Sequence, residues 1–235
     1  MAARCGPKIS TNDISLYYDA AVLRSYVGSG ITVNNLVVGL GSTLVNGTGF
    51  SSFDSGSFFF DATDDYFRLP TTFFNHDSNT AFTVSIWFKT STTGVVFGQQ
   101  NTVNPGTISG YVPAIYVDTN GKLRTSCFWG GATSNQSVST ASVNDDKWHL
   151  VTVTFESSSH KSYLDGILFD TITKNQVSYT APYYYFIGSG TNASWTNVGT
   201  MTFNGNIANF IFYTRALSAS EVLQNYNAMK GRYII

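Results

Sequence analysis

Between Asp13 and Leu217 the chain does not repeat apolar residues at helical spacing; it alternates them. Ala81-Phe-Thr-Val-Ser-Ile-Trp-Phe-Lys89 sets Phe82, Val84, Ile86 and Phe88 on one face, and Trp148 to Phe155 does the same through Val151, Val153 and Phe155. A period of two predicts strands with one buried face. Ile14 to Ala20 reads as the first strand, and Ser57 to Leu69 as two more around an acidic turn. Asp165-Gly166 and Asn120-Gly121 are dipeptides that type I′ hairpin turns prefer, because both positions need positive φ. The pattern predicts an all-β fold, a two-sheet antiparallel jelly-roll sandwich whose inner faces hold the Phe, Ile and Val positions.

The alternation ends at Arg215-Ala216-Leu217, and a short helix follows. Ser218 and Glu221 have the spacing of a capping box, in which each side chain bonds the other residue's backbone N–H. Val222, Leu223, Tyr226 and Met229 then recur at helical spacing, and Gly231 is placed to close the helix. The organisation expected is an N-terminal arm at 1–12, the sandwich at 13–217, and a C-terminal helix and tail of the same domain at 218–235. The arm carries Gly6, Pro7, Thr11 and Asn12 without periodicity.

Several pieces, in order, carry a resemblance. They are Tyr17 to Ala20, Phe60 to Tyr66, Phe82 to Phe88, Lys147 to Val153, Tyr163 to Gly166, Phe186 to Ser189, and the strand, Arg-Ala-Leu corner and capped helix at the end. Together they resemble laminin-G-like domains of the concanavalin A-like superfamily, over about Ile14 to Tyr226. The wording Ser218-Ala-Ser-Glu-Val-Leu-Gln-Asn-Tyr226, with Lys230-Gly-Arg232 behind it, resembles virion proteins of tailed phages that infect marine bacteria. The first resemblance implies the jelly roll. The second implies a phage structural protein, made in the host cytoplasm and located on the virion surface.

Composition narrows the partners. Charged residues are 11% of the chain, against about 25% in ordinary globular proteins. The windows 90–117, 125–144 and 175–214 hold no charge. A net charge of -1 excludes a nucleic-acid partner, since neutralising phosphates takes clustered Lys and Arg. No stretch reaches the roughly 20 apolar residues of a membrane span, so no membrane partner is expected, and residues 1–8 lack the apolar core of a signal peptide. Cys5 and Cys127 are expected to stay reduced, with Cys127 packed as a small apolar group.

The residues bear on four kinds of site. Jelly-roll glucanases resembling this chain carry Glu-x-Asp-x-Glu on one strand, and glycosidases need two carboxylates flanking the scissile bond. The only glutamates here are Glu156 and Glu221, so no enzymatic activity is expected. Calcium is the one cofactor the resemblance leaves room for. Its ligands would be Asp61, Asp64 and Asp65 with Asn209, although Ala208 and Asn209 stand where relatives have an acidic pair. A glycan site would use exposed aromatics: Trp129, Trp195, Tyr183 and Tyr185. Assembly contacts would come from the arm (Cys5, Pro7) and the apolar tail (Tyr233, Ile234, Ile235). The leading expectation is a non-enzymatic virion protein, such as a capsid decoration, that contacts major capsid or tail proteins and is compatible with self-association. The alternative is a carbohydrate-binding adhesin that recognises host glycans.

Overall fold

The computed structural model describes residues 8–37, 39–53, 56–71, 74, 81–104, 110–126, 135–174 and 183–233. In chain order the strands begin with β1 (Ile14–Asp19), β2 (Thr32–Val33), β3 (Ser42–Val45), β4 (Gly49–Ser51), β5 (Ser57–Asp61) and β6 (Tyr66–Arg68). Next come β7 (Ala81–Lys89), β8 (Gly94–Gln100), β9 (Tyr111–Val117), β10 (Lys122–Thr125) and β11 (Ser137–Ser142). The last are β12 (Trp148–Glu156), β13 (Ser159–Leu164), β14 (Ile167–Thr173), β15 (Tyr184–Ile187) and β16 (Asn204–Tyr213), followed by helix α1 (Ala219–Met229) and a 3₁₀ turn at Lys230–Arg232.

They form two antiparallel sheets. The first runs β14-β13-β12-β7-β16-β5-β4, with β1 also paired to β16, and the second runs β11-β10-β9-β8-β15-β6-β3-β2. This is the jelly-roll sandwich expected from the alternation. Between the sheets lies the main core, where Phe82, Val84, Ile86 and Phe88 of β7 meet Phe97, Tyr185 and Ile187 of the second sheet.

The other face of β7 is buried too. Trp87, fully buried, joins Trp148, Leu150, Tyr163, Ile211 and Tyr213 in a second cluster, which α1 covers with Val222 and Met229. A strand covered on both faces loses the polar half of its alternation. The helix is held by the predicted capping box, with Ser218 Oγ accepting from the Glu221 N–H. Glu221 also binds Arg215, at 2.5 and 2.9 Å.

Several local expectations change. Asp165 (φ 52°) and Gly166 (φ 81°) form the two-residue turn predicted for them. Gly121 alone is left-handed in the other hairpin. There the Gly121 N–H bonds the Asp118 carbonyl, and Asp118 Oδ1 accepts from the Asn120 and Lys122 N–H groups, so the turn is a longer loop organised by Asp118. Gly231 does not terminate α1, which passes at Lys230 into the 3₁₀ turn.

The two termini are built into the domain. Ser10 N–H donates to Asn225 Oδ1 at 2.7 Å, and Gln224 donates to the Lys8 carbonyl, so residues 8–12 of the expected arm lie against α1. Tyr233, expected to be an assembly contact, is 6% exposed. Its ring packs 4.8 Å from Trp87 and 5.0 Å from Trp148, because the 3₁₀ turn folds the chain back over the apolar outer face of the first sheet. Cys5, Pro7, Cys127, Ile234 and Ile235 lie outside the described residues.

Candidate saccharide-binding cleft

On β6, Phe67 points into the main core, so its neighbours Tyr66 and Arg68 face the other way. Tyr66 packs edge-on against Phe186 there, with ring centroids 5.3 Å apart. This face of the second sheet floors a cleft of about 620 Å³, lined by Val45, Tyr66, Arg68, Asp64, Asn104 and Met201 among others. That volume lies within the range usual for small-ligand sites.

Three segments hold the walls. In the β5–β6 turn, Asp61 Oδ1 accepts from the Thr63 N–H at 2.8 Å and Asp65 Oδ2 accepts from the Asp61 N–H at 3.1 Å, leaving Asp64 at the rim. Asn46 Nδ2 donates to the Asp64 carbonyl, bracing the turn from β3's end. The second wall is the start of the β8–β9 loop. Gln100 Nε2 donates to the Asn104 carbonyl at 2.9 Å, and the Tyr66 hydroxyl donates to Asn104 Oδ1 at 3.3 Å.

The third wall is the segment 188–203, laid across the second sheet. Ser189 bridges Thr202, and Thr202 Oγ1 donates to the Ala62 carbonyl at 2.6 Å. The segment comes so close to β8 that a Cβ on Gly98 would sit 2.6 Å from the Ser189 carbonyl oxygen. Only glycine fits at that position.

The cleft holds opposite charges that are not paired with each other. The Arg68 side chain makes no ion pair or hydrogen bond with any described residue. Burial raises the Tyr66 phenol's pKa, while Arg68 pulls it down and Asp64 pushes it up. Both charges therefore act on the Tyr66 hydroxyl. The carboxyl of Asp65 is also raised by burial, and its Oδ1 is buried with no hydrogen-bond partner.

The residues expected from sequence separate. Of the aromatic set, Tyr185 is fully buried and Trp195 is 8% exposed, both in the main core. Alternation turns Tyr185 inward to stack on Phe97. Trp195 is drawn in because 188–203 folds back onto the sheet, where the Tyr111 and Tyr116 hydroxyls donate to the Ala193 and Thr196 carbonyls. Tyr183 is half-buried against the core, and Trp129 lies outside the described residues.

The metal set divides as well. β16 pairs Asn204 with Asp61, and Asn209 lies five residues further on, about 17 Å at strand rise. Asn209 is buried under α1, donating to the Tyr233 hydroxyl at 3.3 Å. It cannot complete a site at the Asp61–Asp65 turn. No group of three or more His, Cys, Asp or Glu placed to hold a metal occurs among the described residues.

The fold brings the two glutamates into one smaller cleft, with Thr154, Lys161 and Leu217 beside them. A glycosidase acid must hold its proton near neutral pH. Glu221 goes the other way: its bonds from Arg215, then those from Ser218 and Ser10, hold its carboxyl down at about 2. Sequence reasoning also missed a buried polar bridge between the sheets. There His160 Nε2 meets Thr125 and Ser162 hydroxyls at 3.1 and 3.0 Å, and burial, with Lys174 adding to it, lowers the imidazole to about 3. No sequence spacing links β10 to β13, so only the packed sheets could reveal it.

Solved structures share the architecture. A Trypanosoma rangeli sialidase, solved in complex with sialic acid, superposes with a TM-score of 0.67 at 15% identity, covering 100% of this chain and 36% of the sialidase. This chain thus spans about a third of the length of the sialidases it matches. Domain 4 of AbnA, a GH43 extracellular arabinanase from Geobacillus stearothermophilus, solved in complex with arabinotriose, gives 0.54 at 16% identity, covering 91% of this chain and 98% of that domain. At such identities these likenesses speak for the fold alone. No curated protein matches the chain in sequence. The Laminin_G_3 family model matches residues 61–223, more than half the chain. Strand order, capped helix and family match agree, and the chain belongs to this laminin-G family of the concanavalin A-like lectin/glucanases superfamily.

Proposed function

We propose that this domain is a non-catalytic saccharide-binding module whose ligand occupies the cleft over Tyr66 and Arg68. The observation that carries the reading is the cleft's chemistry. One basic and one acidic side chain, two asparagines and several threonines surround a floor that includes Tyr66 and Val45. Saccharides present dense hydroxyls on a partly apolar frame, and sites for them need a few convergent polar groups rather than a deep apolar pocket. The neighbour of similar length was solved with arabinotriose, which supports the same ligand class.

The test is a glycan array probed with the labelled domain and with Asp64→Asn and Asn104→Ala variants that melt like the parent. Binding that both variants weaken is expected. An array without hits, or hits indifferent to both changes, would overturn the assignment.

One observation favours a second role beside the first, that of a virion surface protein attached to capsid or tail proteins. Exposed apolar residues concentrate along the sequence between positions 23 and 59, with Leu23 at 77%, Ile31 at 63% and Phe53 at 81%, and Phe59 is exposed on β5 next to the edge strand β4. Large apolar side chains left exposed in such number are suited to a protein contact. Antibody labelling of purified particles tests this role: label on the head or tail supports it, and particles free of the chain refute it.

A further inference from the structure

We propose that Arg68 makes the cleft selective for acidic saccharides, reading a sugar carboxylate such as that of a uronic acid residue. The inference rests on the saccharide-binding reading above and names the ligand class for the same site. Arg68 is half-buried in the cleft and its guanidinium has no anionic or hydrogen-bonding partner among the described residues, whereas Arg124, Arg215 and Arg232 are each bound by a carboxylate. A guanidinium cannot shed its charge by deprotonating. Its planar fork of donors matches a carboxylate through two parallel hydrogen bonds.

Asp64 decides what kind of anion fits. It lines the same cleft, and its charge reaches the Tyr66 hydroxyl from a different side chain than Arg68 does. A doubly charged phosphate ester would meet more repulsion from Asp64 than a carboxylate does, and a sulfate ester, though singly charged, is tetrahedral where the planar carboxylate matches the Arg68 fork. A sugar with a single carboxylate at one end can place it on Arg68 and turn its hydroxyls toward Asp64, which accepts their hydrogens. Asn104 already accepts from Tyr66 through Oδ1, and its amide nitrogen is left to donate to a ring or hydroxyl oxygen.

The experiment compares the intact chain with Arg68→Gln and Arg68→Lys on an array holding carboxylated, sulfated and neutral glycans, followed by titration calorimetry of the best ligands. Thermal melting confirms that each variant is folded. The parent should prefer carboxylated glycans. Arg68→Gln should weaken those about tenfold or more and weaken neutral glycans far less, so that the carboxylated-over-neutral preference collapses. Arg68→Lys should recover only part of the loss, because a point charge lacks the fork.

Neutral or sulfated glycans bound best by the parent would overturn the inference while leaving saccharide binding intact. So would a carboxylate preference that survives Arg68→Gln. Absence of any bound glycan would overturn both readings together.

Discussion

Arg232 grips both carboxylate oxygens of Asp19, each at 2.8 Å, and so ties the 3₁₀ turn behind α1 to the end of β1 across 213 residues of chain. Asp19 is fully buried and also accepts from the Tyr17 hydroxyl and the Ala21 N–H. The clasp fixes the path that seats Tyr233 on Trp87 and Trp148.

Removing one partner of a buried pair strands the other charge. Arg232→Met should therefore destabilise the domain by about 3 kcal/mol in urea unfolding, and the Asp19→Asn, Arg232→Met double variant by less than the sum of the singles. Strict additivity would mean the two side chains do not act as a pair.

The helix cap gives a smaller, separable effect. Ser218→Ala should cost about 1 kcal/mol, as helix N-caps usually do. Glu221→Ala should cost more, because it also removes the acceptor of Arg215 and Ser10. Equal losses from the two changes would show that the Arg215 contact adds nothing.

Stability should peak near pH 6 to 7. Burial pulls the His149 imidazolium down, but hydrogen bonds and charge from Asp165 and Asp145, 2.8 and 3.1 Å away, outweigh it, and the net shift is upward. A raised folded value means the folded state holds the proton longer. That contribution is complete below the unfolded value of about 6.5 and disappears as pH rises through the folded one. His160 works in the opposite sense: held down to about 3, it costs stability as pH falls from about 6.5 toward 3. His149→Gln should flatten the alkaline side of a stability-versus-pH curve and leave the acid side in place.

Gly98→Ala should act on the cleft as well as on the fold. An added Cβ forces the 188–203 segment away from β8 at Ser189 and Gly190, and that segment forms one wall. Weaker ligand binding with a Tm drop of several degrees is expected. A variant that binds like the parent would separate the wall from the ligand.

Calcium should leave the melting temperature unchanged at millimolar concentration. Asp61 and Asp65 already accept turn N–H groups, and Asn209 lies too far along β16 to join them. A rise in Tm that chelator reverses would mean the turn binds the ion with fewer ligands than relatives use.

Much of the fold was legible in local pattern. The Phe82 to Phe88 alternation predicts a strand because successive side chains must leave opposite faces, and Ser218 with Glu221 predicts a helix start because two unpaired N–H groups need acceptors nearby. Asp165-Gly166 could be read for the same kind of reason, since positive φ is a property of one or two residues. Asn120-Gly121 could not, because the Asp118 side chain, outside the dipeptide, sets that turn.

The candidate sites were less legible, and the aromatics show why. Trp195 sits among polar, uncharged neighbours in sequence, which suggested exposure, and Tyr185 lies in an aromatic run offered as a sugar platform, yet both are buried by segments remote along the chain. Tyr233 reads as a loose apolar tail until the outer face of β7 is seen to need a cover. The chain by itself determined what depends on neighbours within a few residues: strand period, cap and hairpin. Only the tertiary structure decided which face of each strand meets water and which distant side chains share a cleft. Tyr66 and Asn104 come together across 38 residues through the packing of a loop on the second sheet, and Asn209 is carried away from Asp61 by the same strand that pairs Asn204 with it, because burial and proximity are properties of the packed sheets.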